Sequence, residues 1–413
     1  MATSENGEAR VTRVVLSGGR VFDGSGAAIA DGDVVVEDGR IVDVGPGLDG
    51  DEQVDVSGLT VLPGFIDCHV HVVSSGVIGV QGLQQPFSYG YFQAVRNLAT
   101  TLDCGITTVR DAGGADWGVR KAVEDGLIEG PRLRIAITIL SQTGGHGDGW
   151  LPSGTCAPVF PSHVARPDGV VDGPDEMRKR VREIIRAGAD VLKVCTSGGV
   201  LSPHSDPRRA HLSPEELDVL VTEAAAAGLP VMAHAQATDG IKNAIRAGID
   251  SIEHGIYLDD EAIAMMLDAG TWLVPTLVAP TAVLRMAEAG AGLPASVIAK
   301  AREVVEAHRE SFSRAVQAGV RIAMGTDSGV GPHGGNLEEL ELMAAGGMDP
   351  AAVLAATTSS AAKLLGVAGT TGTIAPGQRA DLVVIDGDPY DFAGLKDRVR
   401  AVFQGGKRVR GTV

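Results

Sequence analysis

Apolar, β-branched segments recur along the middle of the chain, each closed by glycine or a polar residue. Eight such segments run VLPGFIDCHVHVV, GITTVRDAG, RLRIAITIL, VLKVCTSGG, VMAHAQ, SIEHGI, TWLVPTLV and RIAMGTDSG. Helical stretches with a 3.6-residue apolar period lie between most of them. They are FSYGYFQAVRNLATTLDCG, DEMRKRVREIIRAGA, SPEELDVLVTEAAAAG, TDGIKNAIRAG, DDEAIAMMLDAG and SVIAKAREVVEAHRESFSRAVQAG. Ser213 ahead of Pro214-Glu215-Glu216 is a helix start with its cap, and several helices end on glycine. Eight strand–helix units over about 300 residues is the period of a (β/α)8 barrel. A doubly wound open sheet is the competing fold, but no glycine-rich dinucleotide fingerprint follows the first strand.

The two chain ends have a different texture. VVLSGGRVFDG, GDVVVEDGRIVDVG and VDVSGLTVLPG near the start, and GTIAPGQRADLVVIDGDP and RVRAVFQGGKRVRG near the finish, are short β runs broken by Gly and Asp turns. Both ends are expected to build one small β domain, which requires them to meet in space. The predicted organisation is an α/β chain with a TIM barrel over 63–365 and a β-sandwich shared by 1–62 and 366–413.

Polar residues gather at the C-terminal ends of the barrel strands: His69, His71, Asp111, Lys193, His234, His254 and Asp327. A strand buried on both faces should be apolar, so each of these costs free energy unless it finds a partner. In barrels this end carries the chemistry. His69 and His71 are two apart, so strand alternation puts both imidazoles on one face. Taken alone, each His could be a satisfied core side chain. Four at equivalent strand ends, with Asp327 after them, point to a divalent metal, since imidazole and carboxylate suit zinc and similar ions. Lys193 lies inside an apolar strand. It either pairs with a carboxylate or reacts with CO2, which would turn its ammonium into a carbamate able to bridge two cations.

GFIDCHVH, the strand lysine, MAHAQ, SIEHG and GTDSG, in that order, resemble the amidohydrolase superfamily with a binuclear site. The resemblance spans nearly the whole chain. It implies that His69, His71 and Asp327 hold one metal and His234 and His254 the other. Carbamylated Lys193 and a hydroxide would bridge the two ions, probed first as zinc. Within the superfamily the chain is similar to the imidazolonepropionase-like branch, which includes Xaa-Pro, Xaa-Arg and Xaa-Lys metallo-dipeptidases. TGGHGD (143–148), TSGGVLSP (196–203) and HGIYLDD (254–260) carry that likeness. They imply His146 and Tyr257 as site residues that are not ligands, with Asp327 also moving the proton. Imidazolonepropionases proper have a histidine where Lys193 stands, which argues against that specific activity. The implied function is amide hydrolysis, of a dipeptide or an N-acyl amino acid. A lactonase or phosphotriesterase using the same metals is the alternative, and a non-catalytic barrel is disfavoured by the complete ligand set.

Other residues near these motifs carry less. Arg110 and Asp111 are expected to form a structural ion pair. Cys195 should share the inward face of Lys193 as packing, while Cys68 and Glu253 should point outward to the helices. His333 reads as a solvated loop histidine. Arg166, Arg208 and Arg209 are candidates to grip a substrate carboxylate, with plain surface charge the expectation for at least two of them. SDPRRAH (205–211) is expected to help set specificity.

Composition adds limits. The 413 residues are 44% hydrophobic but only 4% aromatic, so aliphatic side chains must fill a large core. A net charge of −17 disfavours a nucleic-acid partner. No window is apolar enough for a membrane span, and the opening MATSENGEAR has no apolar signal core. Four scattered cysteines without a CxxC pair fit a reducing cytoplasm. A cytoplasmic homo-oligomer acting on a small molecule is expected.

Overall fold

The structure is a computed structural model describing residues 12–76, 84–151 and 153–413. The polar opening of the chain, MATSENGEAR, lies outside the described residues.

The first strands are β1 (Val14–Val21), β2 (Ala30–Glu37), β3 (Arg40–Gly45), β4 (Glu52–Asp55) and β5 (Leu59–Pro63). The last three are β14 (Leu382–Asp386), β15 (Val399–Gln404) and β16 (Lys407–Gly411). Hydrogen bonding joins them in the order β16-β15-β14-β5-β1-β2-β3, with β4 also on β1. The seam between chain ends is β5 against β14, antiparallel from Pro63↔Leu382 to Leu59↔Asp386. In place of the two separate sheets of the expected sandwich, these strands form one continuous path. β1 makes this possible by changing partners. Val14–Ser17 pair with β4, and Arg20 and Val21 then pair with β5, while on its other edge the register with β2 shifts between Leu16 and Gly19. Leu16, Val34, Val61, Leu382, Val384 and Phe403 from all parts of the path share one core.

Between the two ends strands and helices alternate. They begin β6 (Phe65–Val70), α1 (Tyr89–Asp103), β7 (Ile106–Asp111), α2 (Trp117–Glu124), β8 (Arg132–Ile135), β9 (Ile139–Leu140) and α3 (Pro174–Arg186). They continue β10 (Leu192–Cys195), α4 (Pro214–Ala226), β11 (Val231–Ala235), α5 (Thr238–Ala247), β12 (Ser251–His254), α6 (Asp260–Ala269) and β13 (Trp272–Val274). Five helices follow: α7 (Val278–Glu288), α8 (Ala295–Ala318), α9 (Glu338–Ala345), α10 (Pro350–Ala356) and α11 (Ser359–Leu364). Ser213 caps α4 as expected: its hydroxyl accepts from the Glu216 N–H while the Glu216 carboxylate accepts from the Ser213 N–H.

All ladders among these strands are parallel, in the orders β6-β7-β8 and β13-β12-β11-β10-β9. Two departures from the expected eight strands explain the two groups. RLRIAITIL is not one strand. Ile137 takes a left-handed φ of 66°, and the break lets β8 pair with β7 while β9 pairs with β10. RIAMGTDSG is extended but makes no ladder; it is held by the Leu273↔Ile322 and Val70↔Ser328 bridges and by Cys68 N–H donating to Met324 O. It sits between β13 and β6 and joins the two groups. Helix α7 was not foreseen, so the connection from β13 to this segment is a helical hairpin of α7 and α8. Among the described residues no helix is long and apolar enough to cross a membrane.

The sheet and the barrel strands share a core. Phe22, Leu62, Phe65, Ile106, Val383 and Val402 belong to one buried cluster. Phe65 is fully buried at the start of β6, four residues before His69. Phe65→Ala should therefore destabilise the protein by about 3–5 kcal/mol, the cost of a large buried cavity. A lowered urea midpoint at unchanged slope is the expected reading. A loss below ~1 kcal/mol would show that this junction is not tightly packed.

Candidate metal centre

β6 delivers His69 at its end and His71 just beyond, and both rings reach the same carboxylate. Asp327 Oδ1 lies 3.2 Å from His71 Nε2 and 3.5 Å from His69 Nε2. The His69 and His254 rings are 5.2 Å apart, and those of His254 and His234 4.6 Å apart. Ligand atoms of His69, His254 and Asp327 all lie within 4.8 Å of one another, so these three could hold one metal ion. The sequence grouped His69, His71 and Asp327 instead. The structure brings all four histidines and Asp327 together but makes His254 part of the tightest set. His146, on the loop after β9, stacks on His234 at 4.2 Å.

Each ring is anchored by the nitrogen that faces away from the centre. His69 Nδ1 is 2.6 Å from Glu253 Oε2, and His71 Nδ1 donates to Gly113 O at 2.7 Å. His234 Nε2 donates to Gly198 O at 3.1 Å, and His254 Nδ1 meets Thr276 Oγ1 at 2.7 Å. Such partners fix the tautomer and leave the other nitrogen's lone pair free for an ion. Burial pushes the pKa values of His69, His234 and His254 well below that of free imidazole, so they are neutral donors. His71 goes the other way: burial lowers its pKa, but the hydrogen bond and charge of Asp327 outweigh that and raise it. Asp327 is raised by burial and lowered by the facing imidazoles and Lys193, and the lowering wins.

Backbone strain collects here. His254 (φ 74°), Thr276 (φ 53°) and Asp327 (φ 57°) occupy the left-handed region without being glycine. The conformation of His254 answers one failed expectation. Glu253 does not face the helices. Ser251 and Glu253 share the inward face of β12, as alternation requires, and the turn at His254 swings that ring inward too. Glu253 Oε1 accepts from Arg110 (2.9 Å) and Ser251 (2.6 Å). Arg110 is thus paired with Glu253 and not with Asp111, which accepts the backbone N–H groups of Val72, Gly113 and Ala115. Cys68 does point outward, packing with Ala361 and Leu364. Cys195 is buried and unpaired.

Lys193 is buried near the ligands, and its Nζ has no hydrogen-bond partner among the described residues. Burial pushes its pKa down. His146 Nδ1 and Tyr257 Oη are also buried without partners. His146 is held neutral by burial, its pKa lowered to about 3, and burial raises the Tyr257 hydroxyl. Arg208 stacks over the Tyr257 ring at 5.1 Å and is ion-paired to Glu303. Arg209 is mostly exposed, and Arg166 is buried on the Gly114 and Pro161 carbonyls. His333 is not solvated: its Nε2 donates to Ser74 O at 3.0 Å and His71 O at 3.3 Å.

Several supporting groups had no sequence signal strong enough to single them out. Asp67 is two residues before His69 and accepts from Thr326 Oγ1 and Asn336 Nδ2 as well as the Thr326 and His69 N–H groups. It ties the first ligand strand to the turn bearing Asp327, and burial raises its pKa to about 6. Glu339 accepts from the Leu277 and Val278 N–H groups, just after Thr276.

The Amidohydrolase family profile matches residues 60–409. The chain belongs to the amidohydrolase family. It is 33% identical to an ochratoxinase of Aspergillus niger over 98% of this chain and 88% of that protein. Among solved structures it is similar to a Xaa-Pro dipeptidase with methionine bound in the active site, at 31% identity and a TM-score of 0.87 over 97% of this chain and all of the other. A prolidase complexed with N-methylphosphonate-L-proline matches at 37% identity and a TM-score of 0.89, over 97% of this chain and all of that one. As an amidohydrolase with such relatives, the protein is a hydrolase acting on C–N bonds.

The buried acid Glu339 yields a pH prediction. Burial raises its pKa to about 8, from 4.5 when exposed. The folded protein then holds a proton that the unfolded chain has released, so stability falls as pH rises from about 4.5 through 8. Glu339→Gln keeps one acceptor oxygen where the Leu277 and Val278 N–H groups use two, a loss that does not vary with pH, and removes the titration. Relative to wild type its urea midpoint should improve steadily from pH 5 to pH 8. An unchanging difference across that range would mean that Glu339 is not the titrating group.

Proposed function

We propose that this amidohydrolase is a binuclear metal-dependent dipeptidase of Xaa-Pro or related type, or an N-acyl amino acid hydrolase. The observation that carries the reading is the Lys193 amine, buried among metal-type ligands and unpaired. A lysine there is explained if it adds to CO2 with loss of a proton and becomes a carbamate shared by two cations. Its lowered pKa favours the free amine that attacks CO2. His69, His71 and Asp327 would hold one ion and His234 and His254 the other. The nitrogen-rich donor set suits zinc. Bound there, two such ions supply Lewis acidity, lowering the pKa of water from about 15.7 toward 7 and polarising the scissile carbonyl.

The chain's own groups would do the rest. Neutral His146 and the protonated Tyr257 hydroxyl, both without protein partners, would donate to the oxygen that gains charge, worth roughly 3–4 kcal/mol per donor in comparable sites. Asp327, ionised and in reach of His71, would carry the proton from the attacking water to the leaving nitrogen. An amine leaves poorly unless protonated, so that transfer matters more for amides than for activated esters. The likeness to a solved Xaa-Pro dipeptidase and a solved prolidase favours a dipeptide. Four unpaired cysteines fit a cytoplasmic enzyme.

A library of dipeptides and N-acyl amino acids, assayed on zinc-loaded protein, tests the substrate class; turnover of esters alone would overturn it. Lys193→Ala should lose metal and activity together, read by elemental analysis beside the assay. Full metal content in that variant would refute the shared carbamate. Asp327→Asn, in whatever fraction retains metal, should lose about 10²–10⁴-fold on an amide and far less on an ester with an acidic leaving group. Tyr257→Phe should slow both substrates alike. Equal losses on the two substrates for Asp327→Asn would assign the proton transfer to another residue.

A further inference from the structure

Helix α8 packs over the site and meets it through one face that carries three polar residues around a buried valine. Lys300, Val304, His308 and Ser311 follow one another at helical spacing. Ser311 Oγ donates to Ile256 O and accepts from Leu258 N–H, which brackets Tyr257. His308 Nε2 donates to His254 O at 2.9 Å. Lys300 reaches a different segment. Its ammonium meets three carbonyls, Gly199 (2.9 Å), Ser202 (2.5 Å) and Ser205 (2.9 Å), and among the described residues it forms no ion pair; the carboxylate that acts on it through charge is Asp206. One turn on, Glu303 pairs with Arg208.

The segment so held touches the site at two atoms that matter. Gly198 O accepts the His234 Nε2–H and so sets its tautomer. Gly199 lies flat against His146: a Cβ there would come within 2.3 Å of the ring. His146 is pressed between that glycine and His234. An ammonium satisfied by three carbonyls of one loop fixes that loop's backbone, where a carboxylate partner would fix only a side chain.

We infer that Lys300 is a positioning residue for catalysis. It acts through the 198–205 backbone to place His146 and to orient His234. The inference rests on the oxyanion role proposed for His146. Lys300→Met should lower kcat on an amide substrate by about 10–100-fold, the usual effect of removing an outer partner of a site. KM should change less than about 3-fold, because substrate binding does not pass through this clamp. Lys300→Arg should recover part of the loss.

The deciding measurement is a double-mutant cycle with His146→Ala. Because Lys300 also bears on His234, the double variant should be slower than His146→Ala by clearly less than the factor that Lys300→Met costs on its own. Losses that multiply, or no loss in Lys300→Met, would overturn the inference. A second readout needs no turnover. In histidine-labelled, zinc-loaded protein, Lys300→Met should shift the ring nitrogen signals of His146 and His234 and leave those of His69 and His71 in place. Unchanged signals at His146 and His234 would also overturn it. Failure of the wild type to cleave any amide sinks the proposed function, while the spectra still decide the role of Lys300. Should Lys300→Met not fold, Ser205→Ala removes the hydroxyl that accepts the Gly199 N–H at 3.2 Å. It carries the same expectations at smaller size.

Discussion

Four imidazoles are crowded into a barrel mouth, and all four are buried. Rings a few ångströms apart cannot all be charged there, and burial keeps three of them neutral. A neutral imidazole has one N–H and one lone pair, so every ring needs an acceptor on one side only. The protein supplies that acceptor from behind in each case, using a carboxylate, two carbonyls and a hydroxyl. The lone pairs are left converging on one region. The rest of the fold is arranged to keep those four acceptors where they are.

Each acceptor rests on a further layer. Glu253 is held by Arg110 and Ser251, so three barrel strands lock together behind His69. Thr276 sits at the start of α7, whose first N–H groups are held by Glu339. Gly198 belongs to the loop fixed by Lys300, and Gly113 to the turn organised by Asp111. Left-handed backbone at His254, Thr276 and Asp327 is tolerated because these contacts over-determine it. A helix, a loop and two buried acids remote from the chemistry thus bear on the angle of a ring.

What could be read in advance follows the same division. The strand-end histidines, Lys193 and Asp327 stood out because a polar residue in an apolar run breaks a pattern of period two. Helices announced themselves through caps such as Ser213 and through their apolar stripes. Glu253 was misread because alternation was extended through His254, where the backbone departs from the strand. No propensity signals a non-glycine residue at φ 74°. His333 looked solvated because its neighbours are glycines, yet those glycines let its ring reach the carbonyls of His71 and Ser74. Glu339 and Lys300 sit in ordinary amphipathic helices. Their importance lies in which loop each meets, a tertiary fact absent from local sequence. A small β domain shared by the chain ends was expected from their short β runs and turns; the continuous path depends on β1 pairing with both β4 and β5, a tertiary choice that the local pattern does not encode.

The same accounting bears on Lys193. Its ammonium could be neutralised by a carboxylate, and two lie close. Glu253 has both oxygens engaged, one by His69 and the other by Arg110 and Ser251. Asp327 Oδ1 already faces two imidazoles. Neither carboxylate forms a hydrogen bond to Lys193 Nζ. An ammonium left so would bear the full cost of a buried, unpaired charge, which proteins relieve by losing the proton. Burial shifts Lys193 in that direction, toward the free amine, and places it close to His69, His254 and Asp327. Glu253 is therefore more than the partner of His69. By accepting from three other donors it has no oxygen left to pair with Lys193, whose Nζ stays without a hydrogen-bond partner among the described residues.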